Sequence, residues 1–382
     1  MSGPLAGIKI LDAGAFTVGP AACSLLGLMG AEAIRIEPPN LDGLLFVGTI
    51  AGGIGTSYIS SHYNKKNIML DLRSPQGKEI GIKLAKWADV LVNNRRLGAL
   101  DRIGFGYKDI IKINPKIIYI ESTSYGTTGP WSQYAAGDHF VQAASGFASI
   151  NGKEGGEVEI LRYATHADYT ASLIIINAAI AGLIAREKTG KGQRIDTSHL
   201  QGTISVQTSR LAEFFVSGKN PPLMGSVSSR VAPSQAFKTQ DNKYINISAD
   251  REEYWVNICK ALELDALIDD PRFSTNEKRL KNRKKLVPLI QEKFSDKPAY
   301  WWMLHFDRCG VPYGFNYDYV NLVRDPHIVE NRWLYDMNSS YGILKGYAAP
   351  WEFSKTTAEE MTPTVRYDKD RDEILDMLGK YK

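Results

Sequence analysis

The amino-acid sequence predicts a mixed α/β fold built on a parallel sheet, with a second, smaller α+β domain. In the first half of the chain, short runs rich in β-branched residues alternate with helical patterns. Strand, helix and strand at this spacing favour right-handed crossovers, with helices on both faces of the sheet. This layout is Rossmann-like. The second half has a different pattern, which predicts the second domain.

The elements of the first half follow from apolar runs and periodicity. We predict strands over residues 8–14, 33–37, 89–94 and 116–123, and helices over residues 20–29 and 77–88. A helix over about residues 170–186 is apolar on almost every face, so we expect it to be covered on all sides. The glycines of "KTGKGQ" then reverse the chain into "RIDTS".

The pattern changes from about Leu223. "FKTQDNKYINIS" predicts a hairpin with Asp241 and Asn242 in its turn, and helices rich in Lys, Arg and Trp continue to "CGVPYGF". We therefore expect a large domain over residues 1–200 together with 325–382, a linker over 201–222, and a small domain over 223–324.

Charge gives no indication of a nucleic-acid binder. The chain has 46 Lys and Arg against 42 Asp and Glu, a formal charge of +4, which is not a concentrated basic patch. The basic helix predicted over residues 276–294 keeps Leu280, Val287, Ile290 and Phe294 as an apolar stripe, so a solvated face is the better interpretation.

The cysteines and the apolar segments indicate where in the cell the protein is expected. Three scattered cysteines without CxxC predict neither a disulfide framework nor a metal site, and they indicate a reducing cytoplasm. The N-terminal stretch lacks an export pattern, and polar residues interrupt the longest apolar run, residues 171–185. We expect no membrane segment.

Familiar catalytic motifs are missing from the sequence. Gly14 and Gly19 follow the first strand without forming GxGxxG, which argues against a dinucleotide site. GxxxxGK, GxSxG and HExxH do not occur, and the six histidines stand singly. No metal is expected.

Asp168 lies in "ATHADYTAS", at the start of the apolar helix. It has two interpretations. An Asp before a helix is an N-cap, because its carboxylate accepts hydrogen bonds from free amides. Alternatively, an Asp with an ordinary pKa is anionic at neutral pH and can attack an activated acyl group without a general base. Amides at the helix N-terminus would then stabilise the oxyanion.

Segments along most of the chain resemble the family III CoA transferases (CaiB/BaiF family), which include formyl-CoA, carnitine and benzylsuccinate CoA transferases. The matching segments include "GIKILDAGAFTVGPAACSLLGLMGAEAIRIEPP", "NKKNIMLDLRSPQGKE", "ADVLVNNRRLGALDRIGFGY", "NPKIIYIESTSYGTTGP", "ADYTAS", "KTGKGQRIDTS", "CGVPYGF" and "RDPH". The resemblance implies that Asp168 attacks an acyl-CoA donor. An acyl-aspartyl anhydride and an aspartyl-CoA thioester would follow, with a carboxylic acid as the acceptor and no metal.

The resemblance also implies a set of CoA contacts and an assembly. The positions that match CoA contacts are Thr17, Val18, Leu70, Arg73, Asn94, Arg95 and Arg102. Arginine suits this role because its planar fork pairs with phosphate oxygens, although the residues alone favour an ion pair of Arg102 with Asp101. Family members form interlocked homodimers, and some pair with a homologous subunit.

Other reactions of the same family remain open. Racemases carry "GHD" where this chain has Gly137 and Asp138, and His139 is displaced by two positions. An α-methylacyl-CoA racemase, a CoA isomerase and a noncatalytic CoA-binding subunit are therefore alternatives. His166 would share a face with Asp168 in an extended segment, but a structural role is favoured. Arg230 is a candidate contact for the acceptor carboxylate.

Overall fold

A six-stranded parallel sheet forms the centre of the first part of the chain, as the sequence predicts. The computed structural model describes residues 3–40, 42–51, 53–339, 342–363 and 367–380. Its strands are β1 (Lys9–Asp12), β2 (Glu32–Glu37), β3 (Ile50–Ala51), β4 (Ile54–Gly55), β5 (Lys66–Met69), β6 (Val90–Asn93), β7 (Ile118–Thr123), β8 (Gln193–Ser198), β9 (Ser234–Lys238), β10 (Tyr244–Ser248), β11 (Tyr313–Phe315), β12 (Leu334–Ser339) and β13 (Gly342–Tyr347). The sheet order is β5-β2-β1-β6-β7-β8, and all neighbours pair in parallel.

Helices cover both faces of this sheet. The helices are α1 (Val18–Leu28), α2 (Thr56–Ser61), α3 (Pro75–Trp87), α4 (Tyr107–Ile113), α5 (Asp138–Ala144), α6 (His166–Thr189), α7 (His199–Ser205), α8 (Thr208–Ser217), α9 (Glu252–Ala261), α10 (Asn276–Lys281), α11 (Arg283–Phe294), α12 (Ala299–Cys309), α13 (Tyr319–Leu322), α14 (Pro326–Glu330) and α15 (Arg371–Lys380). Alternate strand residues point to opposite faces. Ile10 and Ile120 pack with α1 and α6, whereas Leu11 and Tyr119 pack with α3, α4 and α15.

The chain divides into two compact units. The first comprises Met1–Ala148, Ile160–Gly218 and His327–Lys382, and the second comprises Ser149–Glu159 and Lys219–Pro326. Helices α7 and α8 occupy most of residues 201–222, where a linker is expected, and both belong to the first unit.

Strand β5 is absent from the sequence-based prediction. It is a short edge strand that carries polar residues, so it lacks the apolar run that identifies a strand. Carboxylates near the C-terminus cover its free edge: Asp370 accepts a hydrogen bond from Asn67 N at 2.9 Å, and Asp368 accepts one from Met69 N at 2.6 Å. An edge strand covered in this way does not offer its amides to another chain.

Helix α6 is longer than predicted and is not covered on all sides. It runs for 24 residues to Thr189 and is followed by the C-cap residue Gly190, whose φ of 69° is left-handed. With a mean hydropathy of 1.6 in its most apolar window, it has the length and composition of a membrane span. Ile175 and Ala179 nevertheless pack in the core of the first unit. Leu173 and Ile184 are about half exposed, at 46% and 49%.

The second unit contains a three-stranded antiparallel sheet, β11-β10-β9, packed with helices. The predicted hairpin is present, with Asn242 in its turn at a φ of 61°. The predicted basic helix is interrupted at Asn282, and this break moves its apolar stripe to Leu286, Ile290 and Phe294.

Candidate active site

The loop between β1 and α1 is held by two side chains that follow β6. The side chain of Asn94 accepts a hydrogen bond from Ala15 N (2.7 Å) and donates one to Ala15 O (2.9 Å). The guanidinium group of Arg95 donates to Ala13 O (2.9 Å) and Gly14 O (3.1 Å). Asn94 and Arg95, which the resemblance assigns to CoA contacts, therefore fix the backbone that leads into α1.

Two glycines provide the space for this arrangement. A Cβ on Gly14 would lie 2.5 Å from Asn94 Oδ1, and a Cβ on Gly19 would lie 2.7 Å from the same atom. At such distances a Cβ would force the Asn94 side chain to shift. The glycines of this loop thus allow close packing of the Asn94 side chain.

A network of buried charges lies beneath the loop. The guanidinium group of Arg35 contacts Glu37 (2.7 Å), Asp12 (3.2 Å) and Asp42 (2.7 Å), and Lys65 Nζ contacts Asp12 at 3.0 Å. Burial alone would raise the pKa of Asp12, but the adjacent Lys65 and Arg35 lower it below its usual value. The two adjacent cations therefore keep the Asp12 carboxylate ionised inside the protein.

The same carboxylates fix the conformation of the loop. Asp12 Oδ1 accepts a hydrogen bond from Gly14 N (2.9 Å), and Asp42 Oδ2 accepts one from Phe16 N (3.0 Å). Phe16 has a φ of 55°, a left-handed conformation that costs a non-glycine residue about 1–2 kcal/mol. The loop is therefore held in a strained conformation directly before α1.

Asp138 caps helix α6. Its Oδ1 accepts hydrogen bonds from Ala167 N (2.7 Å) and Asp168 N (3.1 Å), and Gln142 Nε2 donates to its other oxygen. Thr165, at the N-cap position, has a φ of 39° and makes no side-chain cap. The N-cap interpretation of Asp168 is therefore wrong, because its carboxylate is not used to cap its own helix.

The expected oxyanion donors are also in a different place. The first-turn amides of α6 already donate to Asp138. In the part of the chain that the structure describes, the amides of Val18 and Gly19 in the first turn of α1 have no acceptor. The Ser172 hydroxyl joins the two helices, because it lies 2.8 Å from Val18 O and 3.0 Å from Asp168 O. The available amides beside Asp168 thus belong to α1.

The carboxylate of Asp168 is largely buried, with a side chain 15% exposed. Burial and, secondly, the charge of Asp138 raise the pKa of Asp168 to about 7, although a hydrogen bond from the Thr17 side chain opposes the rise. An ordinary pKa was expected. The raised pKa instead increases the protonated fraction of Asp168 at neutral pH over that of an ordinary Asp.

His199 faces this carboxylate. Its Nε2 lies 3.9 Å from Asp168 Oδ1, a distance longer than a hydrogen bond. Burial lowers the pKa of His199 to about 4, with the charge of Asp138 acting in the opposite direction. The imidazole is therefore neutral when Asp168 is ionised.

A cleft of about 260 Å³ brings together three of the residues that match CoA contacts. Leu70, Arg73 and Arg95 line it, together with apolar groups such as Pro38 and Leu100. Guanidinium groups beside an apolar floor suit a ligand that carries a planar base and phosphates. The residues of this cleft fit the adenosine end of CoA.

Two arginines of the CoA set are exposed. Arg73 pairs with Asp71 at 3.0 Å, and its side chain is 75% exposed. Arg102 is exposed in a short 3-10 helix, and within the described residues no ion pair joins it to Asp101. A phosphate can therefore reach both guanidinium groups at little cost in desolvation.

The remaining candidates from the sequence are His166, His139 and Arg230. His166 stacks on Phe147, with ring centroids 5.0 Å apart, and His139 lies against Phe140 at 4.1 Å. The histidine that faces Asp168 is His199. Arg230 belongs to the second unit, so its contact with an acceptor stays a prediction.

Two residues of the site were missed from the sequence. Asp138 contacts the amide of a residue 30 positions later, and His199 faces a carboxylate 31 positions earlier. The signal for Asp138 was its place at the start of a helix, after Gly137. A single histidine after "RIDTS" gave no signal for His199.

Comparisons with known proteins agree along the whole chain. The family model described as CoA-transferase family III matches residues 5–368. The human protein "Succinyl-CoA:glutarate CoA-transferase" is 34% identical over 99% of this chain and 86% of the relative. "Acetyl-CoA:oxalate CoA-transferase" of Acetobacter aceti is 31% identical over 82% of this chain and 80% of the relative.

A solved structure is also similar. The crystal structure of a CAIB/BAIF family protein from Brucella suis matches with a TM-score of 0.91 and 26% identity. The match covers 99% of this chain and 100% of that one.

Proposed function

This chain belongs to CoA-transferase family III and is a CoA transferase that acts on organic acids; from this premise we propose that Asp168 carries the acyl group covalently during transfer. One observation supports this role above the others. Asp138 accepts the hydrogen bonds of the first-turn amides of α6, so the Asp168 carboxylate is not used as a cap and lies against the Thr17 side chain at the start of α1.

The proposed reaction begins with the donor. An Asp168 oxygen attacks the thioester carbonyl of the acyl-CoA, the C–S bond breaks, and an acyl-aspartyl anhydride and the CoA thiolate form. The thiolate then attacks Cγ of Asp168, which releases the donor acid and leaves an aspartyl-CoA thioester. Both steps exchange one activated acyl link for another.

The acceptor reverses the sequence. Its carboxylate attacks Cγ of the aspartyl-CoA thioester and expels the CoA thiolate, which attacks the new acyl carbonyl and restores the Asp168 carboxylate. The nucleophile in each of the four attacks is an anion, so the cycle needs no general base. In this proposal the amides of Val18 and Gly19 stabilise charge on the substrate carbonyl.

CoA is the group transferred. We propose that the cleft of Leu70, Arg73 and Arg95 holds its adenosine end, with Arg102 as a further phosphate contact. The thioester end would then extend toward Thr17 and Asp168. The names of the relatives support a dicarboxylic acid as acceptor and an acyl-CoA such as succinyl-CoA as donor.

We propose a dimer for the active assembly. Apolar residues on α6 and α8 are left uncovered in the single chain: Leu173, Ile184, Phe215 and Val216 are 46%, 49%, 76% and 92% exposed. A second copy or a homologous subunit would cover them. Light scattering of the purified chain distinguishes these assemblies, because a chain that needs a homologous subunit stays monomeric alone.

The direct test of the function is CoA exchange. Succinyl-CoA mixed with radiolabelled glutarate should yield labelled glutaryl-CoA, and Asp168→Ala should lose this activity by at least about 1,000-fold. Thermal stabilisation by CoA should persist in that variant. Full activity of Asp168→Asn would contradict the nucleophile.

The same assay separates the alternative reactions. Exchange of the α-proton of an acyl-CoA in deuterated water, without CoA exchange, would indicate a racemase. Thermal stabilisation by CoA without any turnover would indicate a noncatalytic subunit.

A further inference from the structure

We propose that His199 is a catalytic hydrogen-bond donor to the Asp168 oxygen whenever the aspartyl carbonyl itself is attacked. This role rests on the proposed function. It concerns only the two steps in which the carbon under attack is Cγ of Asp168. It adds a reacting-group contact that neither motif nor resemblance indicates.

The position of His199 is the first argument. Its side chain is 10% exposed, and its Nε2 lies 3.9 Å from Asp168 Oδ1. Its other nitrogen, Nδ1, is buried and has no hydrogen-bond partner among the described residues. A buried nitrogen without such a bond is costly. Nε2 is therefore the His199 nitrogen that lies towards Asp168 and can contact it during the reaction.

The needs of the reaction are the second argument. When a thiolate or a carboxylate attacks Cγ of Asp168, negative charge develops on an Asp168 oxygen, not on the substrate carbonyl. Helix α6 cannot supply hydrogen-bond donors for this charge, because its first-turn amides already donate to Asp138. Apart from the α1 amides that we assign to the substrate carbonyl, the donors beside the Asp168 carboxylate are the Thr17 side chain and His199 Nε2.

The charge state of His199 suits this role. The neutral ring carries one proton, and the adjacent carboxylate favours that proton on Nε2, with Nδ1 as the buried lone pair. A cationic imidazole would transfer its proton to the CoA thiolate and quench it. The low pKa of His199, about 4 because of burial, prevents this.

The step balances without proton transfer. The acceptor carboxylate forms a C–O bond to Cγ, and the C=O electron pair moves onto Oδ1, which accepts a hydrogen bond from Nε2. The pair then returns, the C–S bond breaks, and CoA leaves as its thiolate. His199 keeps its proton throughout. A shortening of the 3.9 Å separation by about 1 Å brings Nε2 within hydrogen-bond distance.

The test measures two successive steps in the absence of an acceptor acid: formation of the anhydride and formation of the aspartyl-CoA thioester. Rapid mixing with succinyl-CoA releases CoA thiol as the anhydride forms, and a thiol reagent records this burst. Mass spectrometry of the quenched protein then records the aspartyl-CoA adduct on the peptide of Asp168. In His199→Leu we expect the thiol burst to persist and adduct formation to slow by about 100-fold.

Two further variants control the result. Thr203→Val removes a hydroxyl that donates to His199 O at 3.0 Å on the same helix, and both rates should stay within about twofold of the original. His199→Gln supplies an amide donor, so its adduct should form within about tenfold of the original rate. This comparison with the unchanged protein holds even if His199→Leu does not fold.

The outcomes are distinct. Equal slowing of burst and adduct in His199→Leu would make His199 a structural residue and overturn the proposal. An adduct that forms at the original rate would do the same. If the unchanged protein shows neither burst nor adduct, the proposed function fails, and this role fails with it.

Discussion

Asp138 Oδ1 accepts a hydrogen bond from the backbone amide of Asp168 at 3.1 Å. The side chain of one aspartate therefore caps the helix that carries the other. The arrangement has two opposite effects on the site. It leaves the Asp168 carboxylate free for chemistry, and it places a negative charge close enough to raise the pKa of that carboxylate to about 7, after the larger effect of burial.

The pH dependence of activity should report Asp168. Because the ionised form attacks, kcat/KM should rise with pH through about 7. Asp138→Asn keeps an oxygen that can accept hydrogen bonds from the α6 amides, but it removes the negative charge. The pKa of Asp168 should then fall, and the rise of kcat/KM should move to lower pH. The measurement is a pH profile of kcat/KM for both proteins. A rise at the same pH in both would show that Asp138 does not control the Asp168 carboxyl.

Removal of the cap should cost stability. Asp138→Ala loses both hydrogen bonds to the first turn of α6, so the free energy of unfolding should fall by about 1–2 kcal/mol. Denaturant unfolding of Asp138→Ala and Asp138→Asn measures the difference. Equal stability of the two variants would contradict the capping role.

Asp168 itself should lower stability at alkaline pH. Its pKa in the folded protein, about 7, lies above the ordinary value of 3.8. The folded state therefore binds this proton more tightly than the unfolded state. The favourable contribution is complete below the ordinary pKa and is lost as the pH rises through 7.

Asp168→Asn should remove this dependence. Above pH 7 the variant should be more stable than the original protein by on the order of 2–4 kcal/mol, and the difference should shrink toward pH 4. Unfolding in denaturant at pH 5 and pH 8 measures the change. A difference that grows as the pH falls would contradict the raised pKa.

The buried cation Arg35 should be essential for folding. Arg35→Leu leaves Asp12, Glu37 and Asp42 without their shared partner, so the free energy of unfolding should fall by about 3–5 kcal/mol. The matched control is Lys83→Leu, because Lys83 pairs with Glu79 on the surface. That loss should stay within about 0.5 kcal/mol. Similar losses in both variants would contradict the importance of the network.

Asn94 and Gly14 should act as one unit. Gly14→Ala places a methyl group 2.5 Å from Asn94 Oδ1, so KM for acyl-CoA should rise by about tenfold or more as the loop shifts. Asn94→Ala should also raise KM, but it makes room for the methyl group. In a double-mutant cycle the combined effect should be smaller than the sum of the single effects. Additive effects would show that the two residues do not share this contact.

The parallel sheet was predictable from sequence because its strands are apolar runs separated by helical crossovers. Asp168 was also apparent, as a carboxylate at the start of the most apolar helix. Strand β5 was not, because Lys66 and Asn67 give it a polar pattern and its edge is covered by residues about 300 positions away.

The electrostatics of the site could not be predicted from sequence. The pKa of Asp168 depends on burial and on Asp138, and the neutral state of His199 depends on burial. Both are properties of the packed molecule. Asn94 and Arg95 were singled out as ligand contacts, but sequence could not show that their side chains hold the loop between β1 and α1.

The transfer of an oxygen atom to Asp168 tests the central claim most directly. Glutarate labelled with ¹⁸O in its carboxylates is mixed with succinyl-CoA and the protein, and the peptide that contains Asp168 is analysed by mass spectrometry. An anhydride intermediate leaves one acceptor oxygen on Asp168 each time the acyl group departs, so we predict ¹⁸O in its side chain. Labelled glutaryl-CoA formed while Asp168 keeps only ¹⁶O would contradict the account.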